Sequence, residues 1–134
     1  METGDLLTVA SILAAFGSAM LFFRIQRELT MHDRAEIQWI PWADWLLILA
    51  TLVSLLAVIL PIFFAAGLRL PLAAASAATV LAAGYVPAIL AHYRIILGFG
   101  RQGPRTNPEP SELFIVLLSL VAATSAFVLQ FWRS

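Results

Sequence analysis

The sequence predicts an all-α fold, an integral membrane bundle of four antiparallel transmembrane helices, and three observations carry that expectation. Between Trp45 and Ala91, Arg69 is the only charged residue, and Pro71 marks a turn between two long apolar runs. A hydrocarbon core about 30 Å thick needs about 20 apolar residues of helix to cross it, so this stretch reads as a transmembrane hairpin. A further apolar run precedes it and another follows it. The apolar fraction, 61%, and the mean hydropathy, +0.91, exceed the roughly 45–50% apolar usage of soluble domains. The excess is gathered into runs, which fits membrane spans better than a large soluble core.

The chain of 134 residues has room for one domain. Its spans are expected near 6–23, 42–66, 71–97 and 112–132, with polar connectors at 24–41 and 98–111.

Span 1 starts after Met1-Glu2-Thr3-Gly4-Asp5, an acidic opening unlike the positive start of a secretory signal peptide, so the run is expected to be retained rather than cleaved. Its helix is expected to continue to about Thr30, because nothing breaks it and Arg24 and Glu28 stand at i and i+4. Ala10, Ala14 and Ser18 share one face, with Ser11, Ala15 and Ala19 beside them. Small residues four apart let a second helix approach closely, which is how helices associate in lipid.

The first connector mixes charged residues with Trp39 and Trp42, and with Trp45 these form an expected aromatic belt at headgroup level. Span 2 opens at Pro41, suited to a first helical turn, with Asp44 near the positive end of the helix dipole. Pro61 removes a backbone donor near the far end, and a kink is expected there.

The short turn Gly67-Leu68-Arg69-Leu70-Pro71 makes spans 2 and 3 neighbours. Span 3 carries Ala74, Ala78, Ala82, Gly84 and Ala88, and so thin a helix is expected at the centre of the bundle. The second connector contains Gly98, Gly100, Gly103, Pro104, Pro108 and Pro110 and reads as a loop. Ser111 is the expected N-cap of span 4, just before Glu112.

A local echo links the halves. Phe23-Arg24-Ile25 closes span 1 and Tyr93-Arg94-Ile95 closes span 3, which predicts, for a true duplication, two hairpins related by an axis along the membrane normal.

The charge pattern orients the chain. Net charge is zero and every basic residue other than His is Arg, which excludes a strongly basic nucleic-acid surface. Arg24, Arg27, Arg34, Arg94, Arg101 and Arg105 lie on the connector side, against Arg69 and Arg133 on the other. The positive-inside rule then puts the connectors in the cytoplasm and both termini outside, in a bacterial-type plasma membrane (the cell inner membrane).

Several chemistries are disfavoured. Without cysteine there is no disulfide, thiolate metal site or cysteine nucleophile. No Asp, Glu, Lys or Arg falls in the middle of a span, where proton relays and ion-coupled carriers usually hold one. No P-loop, GxSxG elbow or HExxH is present.

The candidate site is one-sided. Arg94, Arg101 and Arg105, with Arg24 and Arg27, are candidates for binding an anionic lipid or a phosphorylated ligand, since planar guanidinium groups bind phosphate bidentately. His32, His92, Tyr93 and Asn107 are polar interface candidates at the same end, in a cluster that also holds the acids Asp33, Glu36, Asp44, Glu109 and Glu112. No catalytic residue, metal site or cofactor is assigned. A haem held between His32 and His92 is the one cofactor arrangement the sequence suggests, and it is disfavoured because interfacial His is common for other reasons.

The expected function is that of a small polytopic membrane subunit, assembly partner or homo-oligomer, with membrane lipids and itself or another membrane protein as partners and no nucleic acid. An oligomeric channel or carrier is the alternative, and an interfacial lipid or quinone enzyme using His92 or His32 is the second.

Overall fold

The computed structural model describes residues 2–31, 41–64, 67–93 and 110–133, the side chains of 27–31 excepted. Among them the chain is all-helical, and four helices are long and apolar enough to cross a membrane. These are α1 (Thr3–Met31), α2 (Trp42–Phe63), α3 (Arg69–His92) and α4 (Pro110–Arg133). At 1.5 Å per residue the 22 residues of α2 extend about 33 Å, close to a hydrocarbon thickness. Length and hydropathy together indicate a multi-pass membrane protein.

α3 packs against all three other helices and is the most buried of them. Ala73, Ala74, Ala77, Ala78 and Ala88 explain this, because a helix with so little side-chain bulk is approached closely from several directions. α1 and α4 each pack against the α2/α3 pair.

The kink expected at Pro61 takes the form of a wider turn just before it. Ser54–Ile59 is π-helical, and the N–H of Leu60 reaches back to the carbonyl of Leu55. Proline has no N–H and its ring collides with the carbonyl four residues back, so an inserted residue upstream relieves a clash that a regular α-helix would keep. Thr51 and Ser54 return their hydroxyls to the carbonyls of Leu47 and Ala50, both at 2.8 Å, so neither polar group is left unsatisfied in the apolar interior.

The small residues of α1 separate into two faces. Leu6, Ala10, Ala14 and Gly17 are buried, whereas Ser11, Ala15, Ser18 and Ala19 are exposed. The sequence had grouped Ser18 with Ala10 and Ala14. The buried stripe instead passes through Gly17, where α1 approaches α2 most closely: a Cβ there would overlap Thr51, whose own Cβ lies 3.3 Å away. The same device joins α3 to α4, where a Cβ on Gly84 would lie 2.6 Å from the Cβ of Ser119. Each contact sets a glycine against a hydroxyl residue that back-bonds to its own helix, Ser119 Oγ donating to Ile115 O at 2.8 Å.

One capping expectation is corrected. α4 begins at Pro110, which puts Ser111 inside the first turn, and Ser111 Oγ is buried without a hydrogen-bond partner rather than capping the helix. Proline suits the first helical position because its missing N–H is unneeded there.

Candidate functional site

The last part of α1, the first turn of α2, the end of α3 and the first turn of α4 meet at one end of the molecule, and the buried ionisable side chains gather there. All but Arg24 are brought in by a helix terminus. Arg24 follows the buried stripe of α1; Asp44 and Glu112 are the third residues of α2 and α4; His92 ends α3 and Tyr93 occupies the turn after it.

Two base–acid pairs result. Arg24 Nε donates to Asp44 Oδ2 at 3.1 Å, and Arg24 Nη1 donates to the Tyr93 hydroxyl. The guanidinium carbon also stands 6.0 Å from the centroid of the Tyr93 ring, within cation–π range. In the second pair His92 Nδ1 and Glu112 Oε2 share a 2.8 Å hydrogen bond. The other Glu112 oxygen, Oε1, accepts from the backbone N–H of Ala43 at 3.0 Å.

That last bond explains how α2 starts. Pro41 precedes the helix and offers no side-chain cap, so the orphan N–H groups of the first turn need another acceptor. Glu112 supplies it from α4, and its negative charge also suits the positive end of the α2 dipole. One fully buried carboxylate thereby ties together α2, α3 and α4. The pair on Asp44 adds α1.

The two pairs form one electrostatic unit. Asp44 lies within Coulombic reach of His92 and Glu112, and Tyr85 within reach of Asp44, Arg24 and Tyr93. His92 and Tyr93 meet edge to face with centroids 5.0 Å apart. Asp44 Oδ1 is buried and has no hydrogen-bond partner.

Chemically, the arrangement holds helices together more completely than it prepares a reaction. Removing either member of a buried pair strands the other, so each pair fixes its two helix ends. An imidazole oriented by a carboxylate is half of an acid–base site. Among the described residues no Ser, Thr or Cys hydroxyl or thiol is hydrogen-bonded to His92, and no three His, Cys, Asp or Glu side chains are placed to share a metal ion.

Of the sequence candidates, Arg24, His92 and Tyr93 come together here, with the Arg24 guanidinium engaged by Asp44 and Tyr93. The side chain of Arg27, together with His32, Arg94, Arg101, Arg105 and Asn107, lies outside the described residues. The sequence had read Asp44 and Glu112 as helix-start residues and as members of the same one-sided polar cluster, without assigning their partners. A signal was available: Arg24 and Asp44 are 20 residues apart, and so are His92 and Glu112.

No family model matches the chain, and neither does any curated protein or solved structure.

Proposed function

We propose that this chain is a structural membrane subunit: an antiparallel four-helix bundle that works by assembling with itself or with another membrane protein. The observation that carries this reading is the bonding between helices at the polar end. Arg24 bonds to Asp44 and Tyr93, and Glu112 bonds to His92 and to the Ala43 N–H, and these contacts brace four helix ends. A brace of this kind makes a rigid unit whose outer faces are free to pack. The exposed Ser11, Ala15, Ser18 and Ala19 on α1 support the assembly part, because small residues in lipid favour close helix contact.

In this reading the connectors face the cytoplasm of a bacterial-type cell and both termini lie outside, on the strength of the Arg asymmetry. Trp42 and Trp45 sit exposed at the connector end, and Trp132 at the other, which suits two headgroup belts. The connector face, with Arg94, Arg101 and Arg105, takes anionic lipid headgroups.

The test is the mass of the purified protein in native lipid discs, by native mass spectrometry, together with crosslinking in the source membrane. A complex of two or more chains, or a recovered membrane partner, supports the proposal. A monodisperse monomer with no crosslinked partner sinks it.

A further inference from the structure

The two halves of the chain repeat one another in contacts. In α1/α2, Gly17 faces Thr51 and Arg24 pairs with Asp44; in α3/α4, Gly84 faces Ser119 and His92 pairs with Glu112. Thr51 stands seven residues after Asp44, and Ser119 seven after Glu112. Setting Gly17 on Gly84 carries the buried Ala10 and Ala14 and the half-buried Leu21 onto the buried Ala77, Leu81 and Ala88. The contacts do not follow the Arg24/Arg94 echo: in the glycine register Arg24 falls on Ala91, and the base paired with an acid in the second half is His92, one residue further on.

This repeat shows what is missing at the edges of the molecule. α2 and α3 are joined by a large interface between the two halves, in which Leu46 of α2 lies 3.6 Å from the Cβ position of Gly84. Both sides of that interface have a counterpart that is uncovered. The counterparts of Leu46 and Ala50, 0% and 1% exposed, are Phe114 and Leu118 on α4, 66% and 56% exposed. Val53, partly buried, corresponds to Val121, which is 64% exposed and lines a shallow concavity with Leu120, Thr124 and Ser125. On the other side, Ala78, Ala82 and Tyr85 of α3 are buried or half-buried, while their counterparts Ser11, Ala15 and Ser18 on α1 face outward.

We infer that α4 of one copy docks on α1 of a second copy in the way that α2 docks on α3 within the chain. This rests on the assembly reading above and names its partner and its surface. Large side chains, Phe114, Leu118 and Val121, meet small ones, Ser11, Ala15 and Ser18, which is the complementarity already used where Leu46 covers Gly84. In lipid such packing of large against small drives association where a hydrophobic force between helices is lacking. The contact joins two different faces, so it is heterologous and must close into a ring or run on. An axis along the membrane normal keeps all copies in the same orientation, and two copies, four helix pairs in all, make the smallest ring.

Extending the register of the Leu46–Gly84 contact to the counterpart faces puts Val121 within one residue of the level of Ser11 of the second copy, and Phe114 within one residue of the level of Ser18. Val121→Cys and Ser11→Cys in one chain, oxidised in native membranes, therefore yield a covalent species of two chains or more on a non-reducing gel. Leu56→Cys with Ser11→Cys is the control, because Leu56 points outward from α2 away from this interface, and it stays at the mass of one chain. Ala15→Phe, on the outer face of α1, reduces the native mass to that of a monomer without loss of helical circular dichroism.

Three results overturn the inference. A complex of several chains that crosslinks through the control pair but not through Val121/Ser11 refutes this interface and leaves the assembly reading standing. Unchanged mass in Ala15→Phe does the same. A wild-type monomer overturns the inference, and one with no crosslinked membrane partner removes the assembly reading as well.

Discussion

Arg24 on α1 and Asp44 on α2 are joined by a 3.1 Å hydrogen bond across 20 residues of sequence, at 15% and 6% side-chain exposure. Such a pair belongs to neither helix alone and is stable only when both ends are held in register. Arg24→Gln leaves the Asp44 carboxylate buried beside the second acid, Glu112. A loss of about 3 kcal/mol is expected, as for a buried pair broken from one side, seen as a lowered thermal midpoint in mild detergent. Asp44→Asn costs a similar amount, and the double variant loses clearly less than the sum of the two. Strict additivity would mean that the pair is a surface contact of no structural weight.

Glu112 separates two roles that different substitutions can split. Glu112→Gln keeps a carbonyl oxygen for the Ala43 N–H, while Glu112→Leu removes the acceptor from both Ala43 and His92. Leu is expected to be worse by roughly 1–3 kcal/mol, the cost of a stranded buried donor. Hydrogen exchange at the Ala43 amide gives the local readout: protection persists in Gln and falls in Leu. Equal protection in the two variants would show that α2 does not rely on α4 for its cap.

Close approach of α3 and α4 makes Gly84 the less forgiving of the two contact glycines. A Cβ there meets the Cβ of Ser119 at 2.6 Å, an atom that cannot rotate away, whereas at Gly17 the nearest obstacle is the Thr51 hydroxyl. Gly84→Ala is therefore expected to lower stability by about 1–3 kcal/mol, an overpacking cost, and Gly17→Ala by less. Ser119→Gly should recover most of the loss in Gly84→Ala. Failure of that rescue would place the strain elsewhere.

How much of this was legible in the sequence follows from what each feature depends on. The four helices depend on apolar run length, which is local, and the centrality of α3 depends on side-chain volume, so Ala74, Ala78 and Gly84 announced it. Pro61 announced a distortion but not its kind, because a missing donor and a ring clash are relieved equally by a bend or by a π turn such as that at Ser54–Ile59. The pairing of the polar end was hidden for a different reason. Asp44 and Glu112 each have an adequate local explanation as acids at a helix start, and only contacts between helices show that Glu112 caps α2 instead of serving α4 alone. The outward turn of Ser18 was missed because spacing by four defines a face only approximately, and Gly17 holds the inner position.

The membrane reading places the braced end in the cytoplasm, and its most direct measurement is of sidedness. Single cysteines at Thr106→Cys and Ser134→Cys are labelled with an impermeant thiol reagent in intact cells; the natural chain has no cysteine to interfere. The account predicts that Ser134→Cys is labelled and that Thr106→Cys reacts only after the membrane is opened. Labelling of Thr106→Cys but not of Ser134→Cys in intact cells would contradict it.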